Sequence, residues 1–161
     1  MGFLSELKKN RGKIPAPTDL EILEYVYNKY YDDFIAFDRN TNKIRITKNF
    51  VPLDIEKIAK HFQVDRDIIF SRFYYVFKEK YDYKKENGHN VSFFLMKLSE
   101  EGRGELNLIN FPYMTSILAE LREKNKKDYL HIKISAIAVI IALISLISPY
   151  IKPLIKFLIN N

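Results

Sequence analysis

Cysteine is absent from this 161-residue chain, so disulfides, thiolate metal sites and cysteine nucleophiles are all excluded. Histidine is scarce. His61, His89 and His131 stand far apart, without the partners at ligand spacing that a metal centre needs. Glycine is equally sparse, with five in all, and Gly102-Arg103-Gly104 lacks the third glycine and the strand-to-helix setting of a nucleotide fingerprint. There is no P-loop, nucleophile elbow or kinase motif set. Asp32-Asp33 and Glu100-Glu101 are carboxylate pairs, but neighbours in sequence point different ways and read as solvated. These absences argue against an enzyme and imply no cofactor and no metal.

What is present is aromatic and aliphatic mass, unevenly distributed. Hydrophobic residues make up 47% of the chain and charged residues 29%. Ile134 to Ile151 is an 18-residue run without charge, bounded by Lys133 and Lys152, with seven isoleucines in it. As a helix it would be roughly 27 Å long, close to the ~30 Å hydrocarbon core of a bilayer. It is apolar all round, as lipid requires. Ile134, Ile137, Ile140, Ile141, Ile144, Ile147, Pro149 and Ile151 are its expected membrane residues. The competing reading is a buried core helix, which a domain of about 130 residues can hardly wrap. Pro149 and Pro153 are expected to break or kink the helix, leaving the last ten residues in the far interface or in a tilted extension.

Arg122, Lys124, Lys126, Lys127 and Lys133 precede the run, whereas only Lys152 and Lys156 follow it. That bias predicts a single-pass anchor in the cell inner membrane with the N-terminal part in the cytoplasm. No secretory signal is read at the N-terminus, and Glu6 stands where a myristoylation signal needs Ser or Thr. Net charge is +6; Lys133, Lys152 and Lys156 carry three of those charges, leaving about +3 on the remainder. Such a mild excess suits a neighbour of an anionic leaflet as well as it suits a nucleic-acid binder.

The polar part divides by its breaks. Residues 1–17 form an N-terminal segment ending in Pro15-Ala16-Pro17, 18–110 a domain, 111–131 a connecting helix and 132–161 the anchor. Thr18 reads as an N-cap, and Leu20, Leu23, Val26, Tyr27 and Tyr30 recur at helical spacing to about Asp33. Tyr25, Tyr27, Tyr30 and Tyr31 read as core with one interaction edge. Phe34–Phe37 and Lys43–Thr47 are expected as strands around a polar turn. Ile55, Ile58, Ala59 and Phe62 predict a helix over 54–62. Gln63-Val64 makes a turn, and Asp65 caps a second helix to about Tyr81, with Ile69, Phe73, Val76 and Phe77 inward. Asn87-Gly88 predicts a hairpin between strands Asp82–Glu86 and Val91–Lys97, followed by a turn at Leu98–Gly102. Phe111-Pro112 opens a helix with Met114, Ile117, Leu118 and Leu121 on its inner face.

The expected class is therefore α+β. The order helix, strand, helix, turn, helix, hairpin resembles a winged-helix domain over residues 18–98. The likeness rests on Ile55-x-x-Ile58-Ala59-x-x-Phe62-x-Val64 and on the Asn87-Gly88 hairpin. It implies that the second helix of the pair presents Arg66, Asp67, Ser71, Arg72, Tyr74 and Lys78, with Lys84, Lys85 and His89 on the wing. Arg72 would read guanine and the wing would touch phosphate. Against base reading stand Asp65 and Asp67 at the N-terminus of that helix, where carboxylates repel phosphate, and a face without Asn or Gln.

Two expectations follow. In one, a cytosolic module docks a protein partner while the tail acts in the bilayer as an effector. This architecture resembles that of small membrane effectors of bacterial anti-phage systems. Self-association of the span would use Ser135, Ala138, Ala142 and Ser145, which recur at about one-turn spacing. In the other, the chain is a membrane-tethered regulator or scaffold that binds nucleic acid.

Overall fold

Thr18 sets the start of the first helix. Its hydroxyl accepts from the Glu21 amide at 3.3 Å, while the Glu21 carboxylate takes the Thr18 amide at 2.7 Å, a reciprocal capping box. Helix α1 (Asp19–Ile35) starts there. The computed structural model describes residues 16–39, 45, 47–98 and 105–159, with the backbone alone for Leu98 and residues 148–159. The elements after α1 are strand β1 (Phe50–Leu53), helix α2 (Ile55–Phe62) and helix α3 (Arg66–Ser71). A π-helical stretch (Arg72–Phe77) and helix α4 (Lys78–Tyr81) continue α3. Strands β2 (Tyr83–Lys84), β3 (Asn90–Val91), β4 (Phe94–Leu98) and β5 (Glu105–Asn110) precede helix α5 (Phe111–Ile159). The class is α+β, with a small sheet and a long apolar C-terminal helix. The chain divides into two units, residues 1–119 and 120–161.

The sheet of the first unit has the order β1-β5-β4, antiparallel throughout. On one face Val51, Ile109 and Phe94 lie side by side, all fully buried. Aromatic rings fill the space around them: Phe73 approaches Phe94 at 5.4 Å, Phe77 meets Phe93 edge-on at 5.6 Å, and Phe34 stacks on Phe111 at 4.9 Å. Arg45 is buried with them. Its guanidinium donates to the carbonyls of Asp33, Lys48 and Phe50 at 2.8, 2.5 and 2.9 Å and lies over the Phe37 ring. One side chain thus satisfies the carbonyls that a loop between helix and strand would otherwise leave orphaned.

The tight α2–α3 turn forms as expected. Gln63 takes the left-handed conformation (φ 55, ψ 39), and the Val64 amide returns to the Ala59 carbonyl at 3.1 Å, closing the end of α2. Asp65 then caps α3 by accepting from the Asp67 amide at 2.8 Å.

Several expectations fail. Phe34 and Ile35 complete α1 rather than starting a strand, because the Phe34 ring is held against Phe111 and the helix continues to keep it there. Of the strand expected at Lys43–Thr47, Arg45 and Thr47 are not in a strand and the other three residues lie outside the described set. The Asn87-Gly88 hairpin exists, with Gly88 at φ 83, but it pairs only Tyr83 with Val91 and Lys84 with Asn90. The expected Val91–Lys97 strand breaks at Ser92-Phe93, where the Phe93 amide is taken by the Asp82 carboxylate at 2.7 Å. Its second half, β4, pairs instead with β5, a strand the sequence reading did not foresee. Val76, expected inward, is 39% exposed. A π turn closes i→i−5 bonds, as Lys78 N–H to Phe73 O does here, and the wider turn rotates Val76 off the buried stripe while Ile69, Phe73 and Phe77 remain in it. The turn expected at Leu98–Gly102 falls mostly outside the described residues.

The second unit is the greater part of α5. Met114, Ile117 and Leu118 of its opening turns are buried and Leu121 is half-buried, as their spacing predicts. Pro149 and Pro153 do not end the helix, which is helical to Ile159. Ser145 bonds back to the Ile141 carbonyl at 2.9 Å, so its hydroxyl is satisfied within the helix.

Candidate docking face and membrane segment

Helix α3 and its π continuation carry most of the residues singled out from sequence, and they do not form one face. Arg66 lies 3.5 Å from Asp67 and 3.7 Å from Glu105 of β5, with its guanidinium over the Phe70 ring. Arg72 Nε sits 2.8 Å from Asp19 Oδ1 at the start of α1; the contact is an ion pair without the alignment of a hydrogen bond, since that oxygen accepts none. Both arginines expected to approach nucleic acid are therefore engaged with carboxylates of their own unit. Tyr74 stacks on Phe70 at 5.5 Å and Lys78 Nζ lies 5.3 Å from the Tyr74 ring centre, a stripe at i, i+4 spacing. Lys84, Lys85 and His89 are exposed on the β2–β3 hairpin, where the Lys85 amide donates to the His89 carbonyl at 2.8 Å.

Asp67, Ser71 and Arg72 belong to a different feature. They rim an open groove of about 450 Å³ whose walls are Ala16, Pro17, Ile22, Ile68, Tyr75 and Val76. Ile68 is 49% and Tyr75 63% exposed, large apolar side chains in water on either side of the turn that displaced Val76. Sequence reasoning missed Ile68 and Tyr75. The signal was there in Phe73-Tyr74-Tyr75: three consecutive aromatics on a helix cannot all face one core. A second open groove of similar size is lined by Tyr25, His61 and Phe62 with Glu21 and Glu24; His61, exposed on α2, stacks on Tyr25 at 4.0 Å. Among the described residues no group of His, Asp and Glu is placed to hold a metal ion.

In the second unit Ile134, Ile137, Ile140, Ile141, Ile144 and Ile147 are each at least 50% exposed. Pro149 and Ile151 continue the same helix. Over Phe111–Ile147 an 18-residue window reaches a mean hydropathy of 2.4 with no part of it buried, so this helix is long and apolar enough to cross a membrane.

No family model, curated protein or solved structure was found to match the chain.

Proposed function

We propose that this is a single-pass inner-membrane protein, anchored by Ile134–Ile151, whose N-terminal unit is a winged-helix module on the cytoplasmic side that docks a protein partner. It is read as a non-enzymatic effector whose span acts in the bilayer. The winged-helix reading is supported by helices α1, α2 and α3 beside a sheet of order β1-β5-β4, with the β2–β3 hairpin following the helix pair.

The observation that carries the docking reading is the groove beside the π turn. Where a base-reading helix would expose cations and amides, this one exposes Ile68, Tyr75 and Val76, while Arg66 and Arg72 sit on carboxylates. A burial site for an apolar anchor of a partner protein fits that chemistry better than a polyanion does. The effector role leans on the tail alone, and the architectural resemblance to anti-phage membrane effectors gives it a setting.

Membrane potential in bacteria expressing the chain separates the readings. Depolarisation that disappears on deleting residues 132–161, and that Tyr75→Glu also removes, is the expected result. A harmless chain that retards DNA at low salt and releases it as salt rises supports the second reading, a tethered nucleic-acid binder. The Phe70–Tyr74–Lys78 stripe and the exposed Lys84 and Lys85 are what favour that alternative.

A further inference from the structure

Between the apolar span and the first unit, α5 passes through residues 122–133, every one of them exposed. At 3.6 residues per turn, Arg122, Lys126, Tyr129 and Lys133 fall within about 60° of arc on that helix. No carboxylate falls inside the arc. Glu123 lies beside it and is occupied by Lys127, Nζ to Oε1 at 2.7 Å, while Glu120 and Asp128 point elsewhere around the helix. The stripe therefore carries three cations and an aromatic ring, and it runs directly into Ile134. Lys133 Nζ lies 4.5 Å from the centre of the Tyr129 ring, which is itself 60% exposed.

We propose that Lys126, Tyr129 and Lys133, with Arg122 farther along, form a binding face for anionic phospholipid headgroups of the leaflet that α5 enters. The proposal rests on reading Ile134–Ile151 as the span. The Lys133 ammonium, one residue before the apolar run, donates to headgroup phosphate oxygens. Tyr129, one turn earlier, places an amphipathic ring at headgroup level. Lys126 lies seven residues, about 10 Å, beyond Lys133. That is one Debye length at 0.1 M salt, so it still feels the surface potential even with the helix upright. Arg122, about 16 Å out, feels less of it unless the helix tilts. A contiguous stripe narrower than a quarter of the helix matches a flat anionic surface. A nucleic acid, by contrast, would also meet the carboxylates on the flanks.

Full-length protein in mixed phosphatidylcholine and phosphatidylglycerol nanodiscs, ejected for native mass spectrometry, reads the retained lipids directly. The expected result is phosphatidylglycerol retained roughly five-fold or more over its share of the disc. That preference should fall to near unity in the K126Q/K133Q double variant and persist in K126R/K133R. Extraction of membranes at alkaline pH is run beside it. A chain that resists extraction yet retains both lipids in proportion overturns the headgroup face and leaves the anchor standing. A chain that alkali releases overturns both. Nucleic acid co-purifying with the native chain and lost from K126Q/K133Q also overturns the proposal, because the stripe would then serve a different polyanion.

Discussion

Arg45 shows how much one side chain can carry in this unit. Its guanidinium is buried and bonded to three carbonyls, so replacing it with methionine preserves bulk but strands all three acceptors. Leaving such groups buried without partners costs 1–3 kcal/mol, and more where a charged donor was lost, so Arg45→Met is expected to cost about 3 kcal/mol. Denaturant unfolding of the two proteins measures it, and a loss below 1 kcal/mol would show that water serves those carbonyls as well. Tyr30 makes a second case. Its phenol oxygen accepts from the Asp54 amide at 3.0 Å, and burial pushes its pKa up to about 12. The fold favours the neutral phenol. Its contribution is therefore complete below pH 10, the unfolded value, and is lost as pH rises from 10 towards 12. Tyr30→Phe is expected to cost about 1 kcal/mol at pH 7. The gap to the native protein should narrow in thermal melts above pH 10, and a gap that stays constant would mean the phenol titrates alike in both states.

At the scale of elements, the sequence spoke clearly where local chemistry and packing agree. Thr18 with Glu21, the Ile55–Phe62 periodicity, Asp65 and Phe111-Pro112 each set an end that the structure keeps. It misled where tertiary contact overrides a local pattern. Phe34 has strand-like neighbours but is drawn into α1 by the Phe111 ring. Asn87-Gly88 is a strong turn signal that made a two-pair hairpin look like the main one. Leu106, Leu108 and Ile109 between Gly104 and Pro112 are the overlooked strand, hidden because Asn107 and Asn110 interrupt the apolar pattern. The docking face was least legible: Phe73-Tyr74-Tyr75 signals that one aromatic must face water, but nothing in the composition of Arg72–Phe77 announces the wider turn that decides which. The stripe and the groove separate by mutation. Ile69→Ala removes a fully buried side chain and is expected to cost 2–5 kcal/mol, whereas Tyr75→Ser, at an exposed position, should change stability by no more than about 0.5 kcal/mol. Calorimetry of both variants tests the assignment; a large loss for Tyr75→Ser would make its ring part of the core and not of a surface.

For the molecule as a whole, the decisive contrast is between a first unit with an aromatic core and a second unit that keeps its isoleucines uncovered. Covering six such side chains gains roughly 1.5–3 kcal/mol each relative to leaving them in water, a strong driving force for this helix to enter a bilayer or to associate. Deleting residues 132–161 is accordingly expected to move the chain from the membrane pellet to the supernatant of a high-speed spin while leaving the melting transition of residues 1–119 within a few degrees. Should the full-length chain itself stay in the supernatant without detergent, the cover is protein and not lipid.

Gln63 holds an opportunity for protein engineering. A side chain at φ 55 is strained where glycine is not, and this is the one described residue other than glycine with positive φ. Gln63→Gly is expected to raise the unfolding free energy by about 1 kcal/mol, measurable in urea, because the hand of the backbone there is dictated by the Val64-to-Ala59 closure and not by the glutamine. The native chain thus gives up some robustness at this turn, and a redesigned, sturdier version for crystallisation or partner fishing can begin with that single exchange.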